Sequence, residues 1–287
     1  FGRDDCTIRL MPFSTATMRE ILADYKPNYT NEDLLALWTI TGGVARYIEL
    51  LMNNGCTSVE KMIRYVCSSG DSFFVSEGKN ILIQEFGKQY GTFFSILGQI
   101  ARGDVTQSQI EATTGMKSLG GQLRILEDNY GIIRKKRPIG AKEGSQTVRF
   151  EIKDNFFRFW FRYIYRYAPL IEIQNMQALE KIMTDDYTTF SGIALERWLR
   201  QMMMESCEYR QIGGWWKSGG KNAKGNVDDF EIDIVAETLD GEVEAYEVKR
   251  NPLRYNPHRL AEKVAEMQRH LFKGKNVRQI GLSLNDM

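Results

Sequence analysis

A chain of 287 residues with 43% hydrophobic side chains is long enough for two domains, each with its own core. Its 38 basic and 37 acidic residues leave a formal charge of +1, which argues against a polybasic protein but leaves room for a local basic patch. Four scattered cysteines (Cys6, Cys56, Cys67, Cys207) without a CxxC pair, and only two histidines (His258, His270), argue against a zinc site. A cytoplasmic chain with reduced thiols is the plain reading, and no apolar run approaches the ~20 residues that span a bilayer.

The opening "FGRDDCTIRLMPFS" lacks an initiator Met and reads as the middle of a longer protein. From Thr30, "TNEDLLALWTITGG" begins with a capping-box pattern, Thr30 three residues before Asp33, and stops at Gly42-Gly43. "VARYIELLMNN" and "SVEKMIRYVCSSG" repeat the helical spacing, so Phe13 to about Gly87 reads as a small all-helical unit.

Next, "TFFSILGQIARG" predicts an amphipathic helix and "TQSQIEATTG" a short one ending at Gly115. "KSLGGQLRILEDNYGII" predicts a third, with Leu119, Leu123 and Leu126 on one face. Basic "RKKRP" precedes "SQTVRFEI", where Val148, Phe150 and Ile152 alternate as in a strand. Three helices followed by a hairpin is the order of a winged helix-turn-helix, which sets its last helix in the DNA major groove and its wing on the backbone. Between Thr106 and Phe150, eight basic residues against four acidic ones give a segment charge of +4. Lys117, Ser118, Arg124, Arg134, Lys135, Lys136 and Arg137 are the candidate DNA contacts. The competing reading makes these charges a solvated face of a protein-interaction module.

"FFRFWFRYIYRY", interrupted by Arg158, Arg162 and Arg166, reads as a docking helix. In "SGIALERWLRQMMMES", Ile193, Leu195, Leu199, Met202 and Met203 are apolar, with Glu196 among them. "YRQIGGWW" follows, with an exposed-looking Trp215-Trp216 pair, then a lysine- and glycine-rich stretch to Asp229 that reads as a mobile loop. "FEIDIVAE" and "VEAYEVKR" predict strands joined at an Asp240-Gly241 hairpin turn. "HRLAEKVAEMQRHLF" predicts a helix with Leu260, Val264, Met267 and Leu271 on one stripe, and "VRQIGLSL" a last strand. The order is α-β-β-β-α-β.

Strand periodicity puts Glu247 and Lys249 on one face, and Asp233 on the partner strand faces away from Ile232 and Ile234. Two carboxylates on neighbouring strands suit a hard cation such as Mg²⁺ or Mn²⁺, with Glu196 as a further ligand. A lysine beside that ion can position a water and offset charge on a phosphate. Taken alone, Glu-x-Lys is a common solubility pattern on an edge strand; the conjunction of helix Glu, strand Asp, hairpin and Glu-x-Lys in this order raises its meaning.

That conjunction resembles the PD-(D/E)XK nuclease superfamily over roughly the last hundred residues, without the Pro that often precedes the Asp. The resemblance implies catalytic roles for Glu196, Asp233, Glu247 and Lys249, with Asp233, Glu247 and Glu196 as metal ligands. The whole chain is similar to the C-terminal two-thirds of archaeal-type (DEXX-box) P-loop ATPases of the AAA and STAND groups. The similarity rests on Gly2, Arg3, Ile8, Leu10 and "PFS", on "TGGVARYIE" with Ala45 where that family has Pro, and on "DNFFRFWFRYI". It implies an α+β chain: the end of a P-loop domain and a helical lid (1–87), a winged helix (88–153), an aromatic helical linker (154–190) and a restriction-endonuclease-like αβββαβ domain (191–287). ATP binding would belong to the protein's own N-terminal ATPase domain, since no G-x-x-x-x-G-K-[ST] occurs here. The expectation is a DNA-directed module with metal-dependent nuclease chemistry. The alternatives are a regulatory ATPase part that only binds DNA or a protein partner, and a pure interaction scaffold.

Overall fold

The computed structural model describes residues 10–87, 90–103, 105–142, 144, 148–217 and 230–287. Gly2, Arg3 and Ile8 of the opening segment, and the predicted loop at 218–229, lie outside the described residues.

The fold is α+β, and no described helix is long and apolar enough to cross a membrane. Helices α1 (Thr15–Tyr25), α2 (Asn31–Thr41), α3 (Ala45–Asn53), α4 (Val59–Val66) and α5 (Phe73–Phe86) form the N-terminal helical unit. The predicted capping box starts α2: Thr30 Oγ1 accepts from the Asp33 N–H, and the Asp33 carboxylate accepts from the Thr30 N–H. Every residue from Asp33 to Thr41 is buried, so α2 is a central rod with no solvent face. Gly42 ends it at φ +61°, where a Cβ would stand 3.1 Å from Asp154 Oδ2. That close approach ties the Gly-Gly turn to the next layer.

Helices α6 (Tyr90–Ile100), α7 (Gln107–Thr114) and α8 (Gly120–Arg124), the last continued by a π-helical turn to Asn129, precede β1 (Ile133–Lys136) and β2 (Arg149–Ile152). The two strands pair antiparallel, and Leu119, Leu123 and Leu126 are all buried, as the sequence predicts. Glu151 of β2, between Phe150 and Ile152, is buried as well. It is 3% exposed because Arg197 and Arg134 reach it, at 2.8 and 2.5 Å.

The aromatic stretch forms α9 (Asn155–Phe159), which continues as a π-helix to Tyr165 and is followed by α10 (Ala168–Glu172). Trp160, Phe161 and Tyr163 pack inward, while Arg162 pairs with Asp186 at 2.8 Å. Helix α11 (Met176–Glu205) is a single 30-residue helix. Asn175 caps it, and Leu179, Met183, Tyr187, Phe190, Ala194 and Trp198 bury one side at helical spacing.

Strands β3 (Tyr209–Lys217), β4 (Phe230–Thr238), β5 (Val243–Val248) and β6 (Val277–Leu282) form a sheet in the order β3-β4-β5-β6. The first two pairings are antiparallel and β5–β6 is parallel, with α12 (Pro257–Gln268) in the crossover. The αβββαβ order is therefore present. One face of the sheet (Ile234, Ala236, Tyr246, Val248) joins the large core with α11, and the other (Ile232, Val235, Val243, Ala245) packs on Leu260, Val264 and Met267 of α12.

Two expectations fail here. Ile232 and Ile234 face opposite sides of the sheet, because a register shift opposite Gly214 breaks the alternation of β4 at Asp233. Trp215 and Trp216 are 5% and 4% exposed rather than a surface pair. The wing covers them: the Ile139 N–H bonds the Gly214 carbonyl at 2.8 Å, and Arg149 stacks over the Trp216 ring at 4.8 Å.

Candidate functional site

The β4–β5 ladder ends at the Ile234–Tyr246 pair. Just beyond it, the irregularity at Asp233 turns that side chain across to β5, where its Oδ2 accepts the Val248 N–H at 2.7 Å. Glu247 lies on the α12 side of β5 with Ala245. The two carboxylates meet around the Lys249 ammonium, 2.6 Å from Glu247 Oε1 and 4.0 Å from Asp233 Oδ2. Asp233, Glu247 and Lys249 thus converge, though through a bulge rather than through simple alternation.

Glu196 reaches the group from α11. Its Oε1 accepts from Arg200 at 2.6 Å and lies 3.8 Å from Lys136 Nζ. Arg200 also donates to the Asp233 carbonyl at 2.8 Å, so one side chain braces both the helix acid and the irregular strand. Burial pushes the Asp233 carboxyl up to about 7, and the charges of Glu196 and Glu247 push in the same direction. Burial also raises Glu247, but hydrogen bonds from Lys249 and Lys263 outweigh it and leave that carboxyl below its usual range. An open cleft of about 560 Å³ adjoins the group, lined by Thr188, Gly192, Glu196, Asp233, Lys249 and Arg254 among others.

The donors suit a hard divalent ion in type, being carboxylate oxygens beside a cleft. Asp233 carries a surplus of negative potential that such an ion would offset. In number they are sparse: among the described residues, no three His, Cys, Asp or Glu side chains stand close enough to hold a metal together. Two carboxylates with retained waters and a substrate phosphate is an arrangement that Mg²⁺ accepts.

The candidate DNA contacts divide into two sets. Lys117, Ser118 and Arg124 are exposed around α8, with Arg124 paired to Asp128 at 3.2 Å. Arg134 pairs with Glu151 and Lys135 with Glu127, while Arg137 stays exposed. Lys136 is turned inward. Its side chain is 12% exposed, lying 5.8 Å from the Trp216 ring centroid and against Glu196, so the basic turn is not a uniform solvent face. The sequence does not single out Arg200 or Lys263 and puts Lys136 among the DNA contacts; the Arg200–Asp233, Lys136–Glu196 and Lys263–Glu247 contacts each join elements far apart in the chain.

One comparison with known proteins falls on this region. Residues 160–260 match the model of DUF234, a family described as archaeal and bacterial proteins of unknown function. The matched stretch contains Glu196, Asp233, Glu247 and Lys249. The chain is also similar to an uncharacterized protein of Methanocaldococcus jannaschii, 26% identical over 245 residues, which are 82% of this chain and 51% of that protein. The chain thus spans about half the length of that relative. No solved structure matches.

Proposed function

We propose that the chain is the C-terminal, DNA-directed part of an archaeal-type P-loop ATPase whose αβββαβ domain cleaves phosphodiester bonds with Mg²⁺ or Mn²⁺. The observation that carries this reading is the meeting of Asp233, Glu247 and Lys249 beside an open cleft. Asp233 and Glu247 would hold the ion, and Glu196 would assist from α11. A divalent ion supplies Lewis-acid charge to a phosphoryl oxygen when bound. Lys249 orients the attacking water and offsets charge developing on the phosphate. ATP binding belongs in this reading to an N-terminal ATPase domain, and the exposed side of the winged helix supplies DNA contacts.

A second reading is a regulatory part that binds DNA or a protein partner without cutting. The lysines already engaging Glu247 and the absence of a three-ligand group among the described residues favour it. Thermal denaturation with and without Mn²⁺, followed by incubation with plasmid DNA, separates the two. The cleavage reading predicts a rise in melting temperature with Mn²⁺ that Asp233→Asn abolishes. It also predicts cutting that Lys249→Ala loses while keeping the rise. A wild type indifferent to Mn²⁺ leaves the binding-only reading.

A further inference from the structure

Glu247 is held at both oxygens. Lys249 donates to Oε1 at 2.6 Å, and Lys263 of α12 donates to Oε2 at 2.6 Å. Neither the Glu-x-Lys spacing nor the hairpin contains Lys263, and it lies outside the residues matched by the family model. Its position follows from the packing of α12. Asn256 caps the helix and Pro257 opens it, while Leu260, Val264 and Met267 press on Ile232, Val235 and Ala245. Lys263, beside Val264 and one turn after Leu260, is carried to the flank nearest β5. Its side chain is 11% exposed and that of Glu247 10%, so this is a shielded ion pair rather than a surface one.

The two lysines differ in what they can do next. Lys249 is 35% exposed and also lies 4.0 Å from Asp233, at the cleft. It can swing away when a cation arrives. Lys263 is enclosed by the α12 packing. We infer that Lys263 is a positioning residue that locks Glu247 by Oε2, so that Oε1 is the oxygen Glu247 would present to a divalent ion once Lys249 has moved. This rests on the metal reading above and adds to it a fixed positive charge that the ion must tolerate. The device trades affinity for geometry: the carboxylate is aimed, and the ion is held loosely enough to need further oxygen ligands, such as a substrate phosphate.

Calorimetric titration of Mn²⁺ at pH 8 into the full chain tests this with wild type, Lys263→Met and Lys263→Arg, each first shown by melting to be folded. Removing a neighbouring positive charge and freeing Oε2 should tighten Mn²⁺ about tenfold or more in Lys263→Met. Lys263→Arg should restore wild-type affinity. A merely structural lysine predicts the opposite for Lys263→Met, weaker binding as Glu247 loses its place. Unchanged or weaker binding in Lys263→Met therefore overturns the inference while leaving the metal site standing. Absence of Mn²⁺ binding in all three proteins removes the metal site, and the role of Lys263 with it.

Discussion

Asp233 carries the clearest residue-scale consequence. Its carboxyl, raised to about 7 by burial and by Glu196 and Glu247, keeps its proton in the folded chain while the unfolded chain releases one near pH 4. Between those values the folded state binds more protons, so this residue's contribution to stability falls as pH rises from about 4 to 7 and is flat above. Asp233→Asn removes that dependence. It should stabilise the metal-free protein above pH 7 by a few kcal/mol, with little effect at pH 4, in urea melts across that range. Equal effects at both pH values would mean that burial and the neighbouring carboxylates do not hold a proton on Asp233. Glu151 works with the other sign. Burial raises it, but Arg197, Arg134 and Lys136 pull it to about 2, so its stabilisation is complete above its unfolded value and is lost as pH falls toward 2. Arg197→Met should therefore weaken the fold at pH 7 by roughly 3 kcal/mol, since it leaves the buried Oε2 of Glu151, the Asn155 side chain and the Ile152 carbonyl without their donor while Arg134 still holds Oε1. The loss should shrink in acid, as read by denaturant melts at pH 7 and pH 3.

At the scale of elements, the wing and the α8 segment make different predictions. Replacing Lys117 and Arg124 by Ala should leave melting nearly unchanged and, on the proposed DNA-directed function, flatten the salt dependence of binding to DNA by about two units of slope. Lys136→Ala should barely move that slope but cost roughly 1–2 kcal/mol of stability, through its contacts with Trp216 and Glu196. A gel-shift series over salt, run beside melts, reads both quantities. If Lys136→Ala flattens the slope as much as the other pair, the wing leaves its docked position to meet DNA. Much of this level was legible in the sequence. The capping box at Thr30, the Gly42 and Gly115 stops, the Leu119–Leu123–Leu126 stripe and the Asp240-Gly241 turn are local signals, and local hydrogen bonding produced what they promised. The length of α11 was also available, in the Asn175 cap and the apolar spacing from Leu179 onward. The break at Asp233 was not, because it depends on which residues of β3 oppose it.

Across the whole molecule, the candidate site is an assembly of distant parts. Asp233 and Glu247 come from adjacent strands, Glu196 and Arg200 from α11, Lys263 from α12 and Lys136 from the winged helix. Chain order and the Glu-x-Lys spacing made the first three acids and Lys249 readable. Lys263 on Glu247 and Lys136 beside Glu196 could not be read, since nothing local marks a lysine that will meet a carboxylate many residues away. The buried Trp215-Trp216 pair has the same cause: the wing that covers it belongs to another part of the chain. A crystal soaked in Mn²⁺ and measured for anomalous scattering tests the central claim most directly. One peak is expected between the Asp233 and Glu247 carboxylates, with Lys249 displaced from Oε1 and Lys263 still on Oε2. No peak there at saturating Mn²⁺, with Lys249 still bonded to Glu247, would contradict it and make the cluster a structural ion-pair network.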